Sequence, residues 1–290
     1  MLNDSWHSLL LNPLKVNELM KVTRIHLLRR YMVPVAILFG FIPLRTSAQP
    51  SPQEIADRSL QAFYYPAADM SVRLSMTLTN SQGKKRQRNM TLLRWNSEKE
   101  GDQRYFVYFH SPSDVKGMTF MVWKYRGGDD DRWIFIPSLN MVRRIAANDK
   151  RSSFVGSDFT YEDVSGRDVG DENHTLLRTE DLNGRTSFVL ESRPVGSAAY
   201  ARRVSWIDAE RWLPLKEEYF DSRDQKVREF TADEVEEIGG YWTITKRSMR
   251  NLQTGHRTEV TFSSIEYNVG LEESLFTERY LRQPPRRWIR

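Results

Sequence analysis

Short runs of alternating apolar and polar residues fill most of the chain after position 68. The first, at 71–79, places apolar residues at every second position from Val72 to Leu78 and Ser, Arg and Thr residues between them. This is the period of a half-buried β-strand. Similar runs follow at 90–95, 104–110, 116–126, 132–137, 140–146, 174–180, 186–192, 202–208, 215–221, 226–236, 241–251 and 257–268. Their close spacing and short turns predict one antiparallel meander.

Some central strands are apolar on both faces. The stretches "MTFMVWKY" (118–125) and "RWIFIP" (132–137) carry large apolar side chains at both odd and even positions. A sheet with one face in water would show a polar face instead. We therefore expect these strands to be covered twice, by core or ligand on one side and by a helix or lid on the other.

One amphipathic helix precedes the strands. Ser51 is a candidate N-cap, Pro52 suits the first helical position, and Glu54 has the spacing of a capping box. An apolar stripe follows on one face, and Pro66 ends the element. The pattern predicts a helix whose stripe packs on the sheet.

The first 48 residues have the layout of a secretory signal peptide. A basic stretch from Lys21 to Arg30 is followed by an apolar run from Tyr31 to Leu44 and by small residues up to Ala48. The apolar run is shorter than the roughly 20 residues of a membrane-spanning helix. We expect cleavage after Ala48, with Met20 as a possible true start, and export of residues 49–290 as one soluble domain.

The net charge and the cysteine content exclude some classes of function. The net charge of +5 lies largely in the leader, so the exported part lacks the basic footprint of a nucleic-acid-binding protein. The chain has no cysteine. Disulfides and an acylated cysteine anchor are therefore both excluded.

Signatures of catalysis and metal binding are weak. The sequence contains no metalloprotease helix motif, nucleophile elbow or phosphate loop. "GGDDDRW" (127–133) lacks the spacing of a calcium loop and is interpreted as a solvated hairpin tip. The acids of "FVGSDFTYEDV" (154–164) are expected to cap turns and form ion pairs. We predict a non-catalytic protein without a cofactor or metal.

Residues 116–169 carry a family resemblance. Gly117 with the hydrophobic strand after it, "WIFIP" (133–137), "VRRI" (142–145) and above all "FVGSDFTYEDV" resemble the outer membrane lipoprotein-sorting protein family, the LolA-like periplasmic proteins associated with RND/MMPL-type exporters. "WIDAERWLPLKEEYFD" (206–221) is similar to a strand, turn and strand of the same family. The resemblance extends over essentially all of residues 49–290.

The resemblance implies a mainly β fold: an incomplete, unclosed antiparallel β-barrel of about 10–12 strands with an N-terminal helix and short lid helices. The implied activity is non-catalytic, with an apolar cavity that holds acyl chains. We expect the cavity to be lined by Leu74, Met76, Leu78, Met118, Phe120, Val122, Trp133 and Phe135.

The segment after Ser153 is interpreted as the lid of that cavity. Its predicted residues are Phe154, Asp158, Phe159, Tyr161, Glu162 and Asp163. The aromatic residues would face inward, and Glu162 or Asp163 would pair with a base such as Arg143, Arg144 or Arg151. These ion pairs would hold the lid closed.

The expected function is that of a soluble periplasmic carrier, which takes a lipid or lipoprotein from an inner-membrane RND/MMPL exporter towards the outer membrane. An exported hydrolase acting on envelope glycans or lipids is an alternative. A third hypothesis, an outer-membrane barrel, conflicts with charged residues such as Arg73, Arg94 and Lys124 in the candidate strands.

Overall fold

The computed structural model describes residues 49–97 and 101–289. The predicted signal peptide, residues 1–48, lies outside the described residues. Helix α1 spans Pro52–Tyr64, and the Ser51 side chain accepts a hydrogen bond from the backbone N–H of Glu54 at 3.2 Å. The predicted cap therefore starts the helix, because Ser51 satisfies an N–H group that the first turn leaves unpaired.

All thirteen strands in the described residues belong to one antiparallel sheet. Their bounds are β1 Asp69–Thr79, β2 Lys85–Asn96, β3 Gln103–Ser111, β4 Thr119–Lys124, β5 Asp131–Ile136, β6 Met141–Ile145, β7 Glu172–Leu182, β8 Arg185–Pro194, β9 Arg202–Asp208, β10 Pro214–Phe220, β11 Lys226–Ile238, β12 Tyr241–Asn251 and β13 Arg257–Tyr267. Every strand predicted from the alternation of apolar and polar residues is present. The total of thirteen is one more than the upper end of the 10–12 strands expected from the family resemblance.

The sheet consists of two meanders joined by the first and last strands. Its order is β6-β5-β4-β3-β2-β1-β13-β12-β11-β10-β9-β8-β7, and β1 pairs with β13 over most of its length. Strands β6 and β7 are the two edges and do not pair with each other. The prediction of an unclosed antiparallel barrel is confirmed.

The sheet is strongly curved. Lys124 on β4 and Arg228 on β11 are six strand positions apart, roughly 29 Å in a flat sheet at about 4.8 Å per strand. Both nevertheless contact the same short segment: Lys124 Nζ donates to the Gly166 carbonyl at 3.0 Å, and Arg228 Nη1 lies 3.1 Å from the Asp163 carboxylate. Three residues of chain span at most about 11 Å, so the two halves of the sheet must bend towards each other.

The segment between the edge strands consists of short turns of helix. It contains 3₁₀ turns at Ala147–Arg151, Phe154–Gly156 and Val169–Asp171, and the single α-helical turn α2 at Tyr161–Ser165. We call residues 146–171 the lid. After β13, a 3₁₀ turn at Glu273–Leu275 and helix α3 at Glu278–Arg282 form the C-terminal segment.

Two apolar clusters lie on opposite faces of strands β2 to β5. The inner cluster joins these strands to β1, to the β10–β13 half of the sheet, to the lid and to the end of α1. The outer cluster joins Leu93, Phe106 and Met121 to the C-terminal residues Phe276 and Leu281. The two apolar faces predicted from the sequence are therefore both covered, and the outer cover is the C-terminal segment.

Candidate functional site

The lid closes the inner face of the sheet with aromatic side chains. Phe154 is 4% exposed and Phe159 is 6% exposed, and both belong to the inner cluster. The Phe154 ring centroid lies 5.2 Å from that of Phe120, and the Tyr161 ring lies 5.3 Å from Phe120 and 5.6 Å from Phe154. Edge contacts of this kind add to the area that the rings bury. All three aromatic residues predicted for the lid point into the interior.

Asp158 attaches the lid to strand β13. Its backbone N–H donates to the Thr258 hydroxyl at 2.9 Å, and that hydroxyl donates to the Asp158 carboxylate at 2.7 Å. Burial raises the pKa of Asp158 above its ordinary value of 3.8, and the hydrogen bond from Thr258 opposes the rise. Asp158 is therefore a polar contact at the margin of an apolar interior.

Asp163 has two structural roles. Its carboxylate accepts from the Thr160 backbone N–H at 2.7 Å, and its own N–H donates to the Thr160 hydroxyl at 3.1 Å. This reciprocal arrangement is a capping box that starts α2. The same carboxylate pairs with Arg228 of β11 at 3.1 Å, so one side chain both builds the lid helix and ties it to the sheet.

Glu162 and Asp163 form ion pairs as predicted, but not with the three arginines named from the sequence. Glu162 lies 3.2 Å from Arg167 and 3.5 Å from Lys150, whereas Asp163 pairs with Arg228. Arg143 and Arg144 pair instead with Asp149 and Asp131. They project from edge strand β6, which runs alongside β5 and brings them to acids of its own neighbourhood. Arg151 forms no ion pair with either lid acid.

Lys124 holds the C-terminal end of the lid. Its side chain is 2% exposed, and Nζ lies 2.8 Å from the Asp168 carboxylate and 3.0 Å from the Gly166 carbonyl. The other Asp168 oxygen accepts from the Gly127 N–H at 3.0 Å. A buried lysine needs such partners because an isolated charge is costly away from water. The contact fixes the lid to the β4–β5 turn.

The lid backbone is strained at Val155. This β-branched residue has φ 48° and ψ 41°, a conformation that costs of the order of 1–3 kcal/mol outside glycine. Its carbonyl accepts a hydrogen bond from Arg88 of β2. The closed lid therefore holds an unfavourable backbone conformation in place through contacts with the sheet.

Six of the eight residues predicted to line the cavity belong to the inner cluster. They are Leu74, Met76, Leu78, Met118, Phe120 and Val122. Trp133 and Phe135 do not: they lie in the outer cluster beneath the C-terminal segment. The register explains the difference, because Ile134 is the residue opposite Phe120, whereas Trp133 is opposite Met121 of the outer cluster. Adjacent residues of a strand face opposite sides.

Among the described residues, side chains largely fill the interior in which a cavity for acyl chains was expected, and the spaces left between sheet, lid and α1 are small. One of about 40 Å³ lies between the lid and the sheet and is lined by Leu74, Met76, Phe154 and Phe159 among others. A second, of about 70 Å³, lies under the end of α1 beside Phe63 and Leu92. The third, of about 80 Å³, is lined by polar residues of the β7–β10 half, including Glu172 and Arg203.

The acids of the β4–β5 turn serve the fold. Asp130 lies 2.5 Å from Arg132 and accepts from the Tyr125 N–H, while Asp131 pairs with Arg144. The interpretation of this stretch as a solvated hairpin tip is therefore only partly right, since burial raises the pKa of Asp130. No group of three or more His, Cys, Asp or Glu side chains within the described residues is placed to hold a metal ion.

Four residues of the site were not identified from the sequence: Lys124, Arg228, Arg247 and Thr258. Arg228 contacts Asp163, which is 65 residues away in the sequence, and Thr258 contacts Asp158, which is 100 residues away. Arg247 projects into the interior from β12, opposite Val260. The available signal was its spacing of two residues from Met249, which places both on one strand face.

Comparisons with known proteins agree with this architecture. A protein-family model described as "-like: Uncharacterized protein" matches residues 101–283. A solved protein from Vibrio parahaemolyticus, described as an outer membrane lipoprotein-sorting protein domain, is 30% identical, with TM-score 0.75, over 80% of this chain and 98% of its own. A DUF1329 family protein from Desulfovibrio piger is 28% identical, with TM-score 0.75, over 80% of this chain and all of its own.

A LolA superfamily protein from Nitrosomonas europaea, 19% identical, shares the fold with TM-score 0.64 over 80% of this chain and all of its own. No curated protein sequence matches the chain. None of the helices among residues 49–97 and 101–289 is both long and apolar enough to cross a membrane.

The unclosed antiparallel sheet has the fold of this LolA superfamily protein. The chain itself belongs to the family of outer membrane lipoprotein-sorting proteins, which the comparison with the Vibrio parahaemolyticus protein shows. The family resemblance found in the sequence is confirmed.

Proposed function

We propose that the protein is a periplasmic carrier that binds the acyl chains of a lipid or lipoprotein between the sheet and the lid. The observation that supports this most strongly is the nature of the cover. Between the two halves of the curved sheet, the apolar interior is closed by the end of α1, by short helical turns and by a few aromatic side chains, where a packed domain would have further strands or long helices.

Cargo binding requires the lid to move. The apolar cavities of about 40 and 70 Å³ are far smaller than the 300–1,000 Å³ of typical ligand sites. In this proposal, the rings of Phe154, Phe159 and Tyr161 lie in the space that an acyl chain would take, and withdrawal of the lid would open it.

The energies of the two occupants are comparable, which makes the exchange reversible. Transfer of an acyl chain with 14 methylenes out of water recovers roughly 11 kcal/mol at about 0.8 kcal/mol each. Exposing three aromatic lid residues costs roughly 5–9 kcal/mol at about 1.5–3 kcal/mol each. The strained Val155 backbone reduces the cost of opening further.

Several features of the interior suit variable hydrocarbon chains. Met76, Met90 and Met249 are all buried in the inner cluster, and methionine adapts its shape to its neighbours. We propose that residues 49–290 form the exported carrier after removal of residues 1–48. An RND/MMPL-type exporter of the inner membrane would supply the cargo, which the carrier would take towards the outer membrane without a catalytic step.

Native mass spectrometry and lipid extraction of the exported protein test this function. We expect an intact acyl lipid bound to the wild-type protein. The Met76→Gln variant should lose much of it, because Met76 lines the cavity beneath the lid. Thr77→Gln is the matched control, since Thr77 faces the other side of the same strand.

Two results would contradict the proposal. One is a wild-type protein that carries no acyl lipid and takes none up from vesicles of mixed phospholipids. The other is the conversion of added lipid into cleaved products, which would favour an exported hydrolase instead.

A further inference from the structure

One cationic side chain lies within the apolar interior. Arg247 of β12 is half-buried, and its guanidinium carbon lies 4.9 Å from the ring centroid of Phe262, 5.3 Å from that of Phe63 and 5.6 Å from that of Phe159. These rings come from β13, α1 and the lid. Arg247 therefore lies where the sheet, α1 and the lid meet.

The guanidinium has no anionic partner. Among residues 49–97 and 101–289, Arg247 forms no ion pair or hydrogen bond, and its inaccessible Nε has no acceptor. The carboxylate of Asp163 acts on it electrostatically but is already bonded to Arg228 and Thr160. Burial lowers the pKa of Arg247, yet an arginine side chain remains charged in proteins.

Other arginines of the interior differ from Arg247 in having polar partners. Arg203 on β9 pairs with Glu172 at 2.6 Å and with Glu217 at 3.3 Å. Arg228 pairs with Asp163. The fold thus supplies carboxylates for Arg203 and Arg228. The inward-pointing Arg88 and Arg94 of β2 donate to backbone carbonyls, whereas Arg247 has only aromatic faces beside it.

The position of Arg247 relates it to the cargo space. It lines both apolar cavities, together with Leu92, Val164 and Phe262, which separate one cavity from the other. Val164 belongs to the lid helix α2. When the lid withdraws, the two cavities would join around the guanidinium.

We propose that Arg247 binds the acidic group of an amphiphilic cargo, a carboxylate or a phosphate, whose acyl chain lies along β1 and β2. This rests on the carrier function proposed above. A guanidinium offers five N–H donors in a fork that matches the oxygens of such groups. The acidic group of the cargo would pair with the guanidinium, which has no carboxylate partner in the fold. The protein would then select its cargo by charge as well as by the acyl chain.

Displacement of the neutral fluorescent probe N-phenyl-1-naphthylamine from the exported protein tests the proposal. The competitors are dodecanoate, its methyl ester and dodecyl phosphate. We expect an acidic amphiphile to displace the probe at a concentration on the order of 10- to 100-fold lower than the ester does, from the strength of a charge-assisted hydrogen bond. The tighter of the two acids identifies the group.

Variants separate this role from a structural one. Arg247→Met should weaken binding of the two acids to the level of the ester and leave binding of the ester unchanged. Arg247→Lys should retain part of the preference for the acids. Arg250→Met is the matched control, because Arg250 is exposed on the same strand. Without ligand, Arg247→Met should unfold at the same temperature as wild type or a higher one, since it removes an unpaired charge.

The outcomes distinguish this proposal from the carrier function. Equal displacement by acid and ester in the wild type, or a preference that survives Arg247→Met, would overturn the role of Arg247 alone. An Arg247→Met variant that unfolds early and loses the ester as well would mean that the residue only holds the aromatic rings. A wild-type protein that binds neither the probe nor any amphiphile would refute the carrier function and this proposal together.

Discussion

Replacing Asp163 with alanine should loosen the lid without unfolding the sheet. The substitution removes the carboxylate that caps α2 through the Thr160 N–H at 2.7 Å and pairs with Arg228 at 3.1 Å. It also leaves Arg228 Nη1 with only the Asp158 carbonyl at 3.2 Å, in a guanidinium whose Nη2 already lacks a hydrogen-bond partner.

The magnitude follows from these two losses. A helix cap contributes about 1 kcal/mol, and a hydrogen bond to a charged group contributes about 1.5–3 kcal/mol. The sum of about 2.5–4 kcal/mol corresponds to a rise of roughly two to three orders of magnitude in the population of the open lid, at about 1.4 kcal/mol per factor of ten. Both contacts belong to the lid, so the strands should keep their stability.

Hydrogen exchange measured by mass spectrometry reports this opening. The informative amides are those of Tyr161 and Gly166, which are hydrogen-bonded to Ser152 and Glu162 when the lid is closed. They should exchange faster in Asp163→Ala, while peptides from β2 and β3 stay protected. Asp149→Ala is the control: Asp149 lies in the lid but is half exposed and 3.8 Å from its partner. Wild-type exchange rates in a folded Asp163→Ala protein would refute the claim that the Asp163 contacts hold the lid closed.

Three further outcomes are expected. Lys124→Met leaves Asp168 without its buried partner, so urea denaturation should show a loss of about 3–5 kcal/mol; a loss below about 1 kcal/mol would contradict this. Trp133→Ala should cost about 3–5 kcal/mol in the same assay and leave lipid affinity unchanged, because Trp133 belongs to the outer cluster; reduced affinity in a folded variant would be the contrary result. Burial raises the pKa of Asp158 above 3.8, so the folded state holds this proton more tightly than the unfolded chain does. The unfolding free energy should therefore decrease as the pH rises from about 3.8 through the raised pKa, and Asp158→Asn should lack this component; identical pH profiles for the two proteins would refute it.

The strands could be predicted well because their signal is local. Alternation of apolar and polar residues gave 202–208 and 241–251, which coincide with β9 and β12. The cap of α1 at Ser51 is also local, since the hydrogen bond spans three residues. Features that depend on neighbours in sequence are the ones that a single chain reveals.

Which face of a doubly apolar strand lies inside could not be predicted. Trp133 and Ile134 look alike in hydropathy, and only the pairing of β5 with β4 assigns Ile134 to the interior. The C-terminal segment that covers Trp133 and Phe135 gave no sign of this role in the sequence. Such assignments need the register of strands that are distant along the chain.

Polar partners that are distant along the chain could not be predicted from the sequence either. Asp163 had three candidate arginines nearby in the chain, but its partner is Arg228 on β11, which the curvature of the sheet brings to the lid. Arg247 looked like any strand arginine, and its location among aromatic rings appears only in three dimensions. Charged residues carry little positional signal because their usual place is the surface.

A disulfide that locks the lid tests the central claim most directly. The Asp158 and Thr258 side chains are hydrogen-bonded at 2.7 Å, and the chain has no cysteine, so the double variant Asp158→Cys and Thr258→Cys would carry the only pair. We expect the oxidised variant to lose binding of acyl lipid and to regain it on reduction. Undiminished binding by the oxidised variant, with the disulfide verified by mass spectrometry, would contradict the claim that cargo enters beneath this lid.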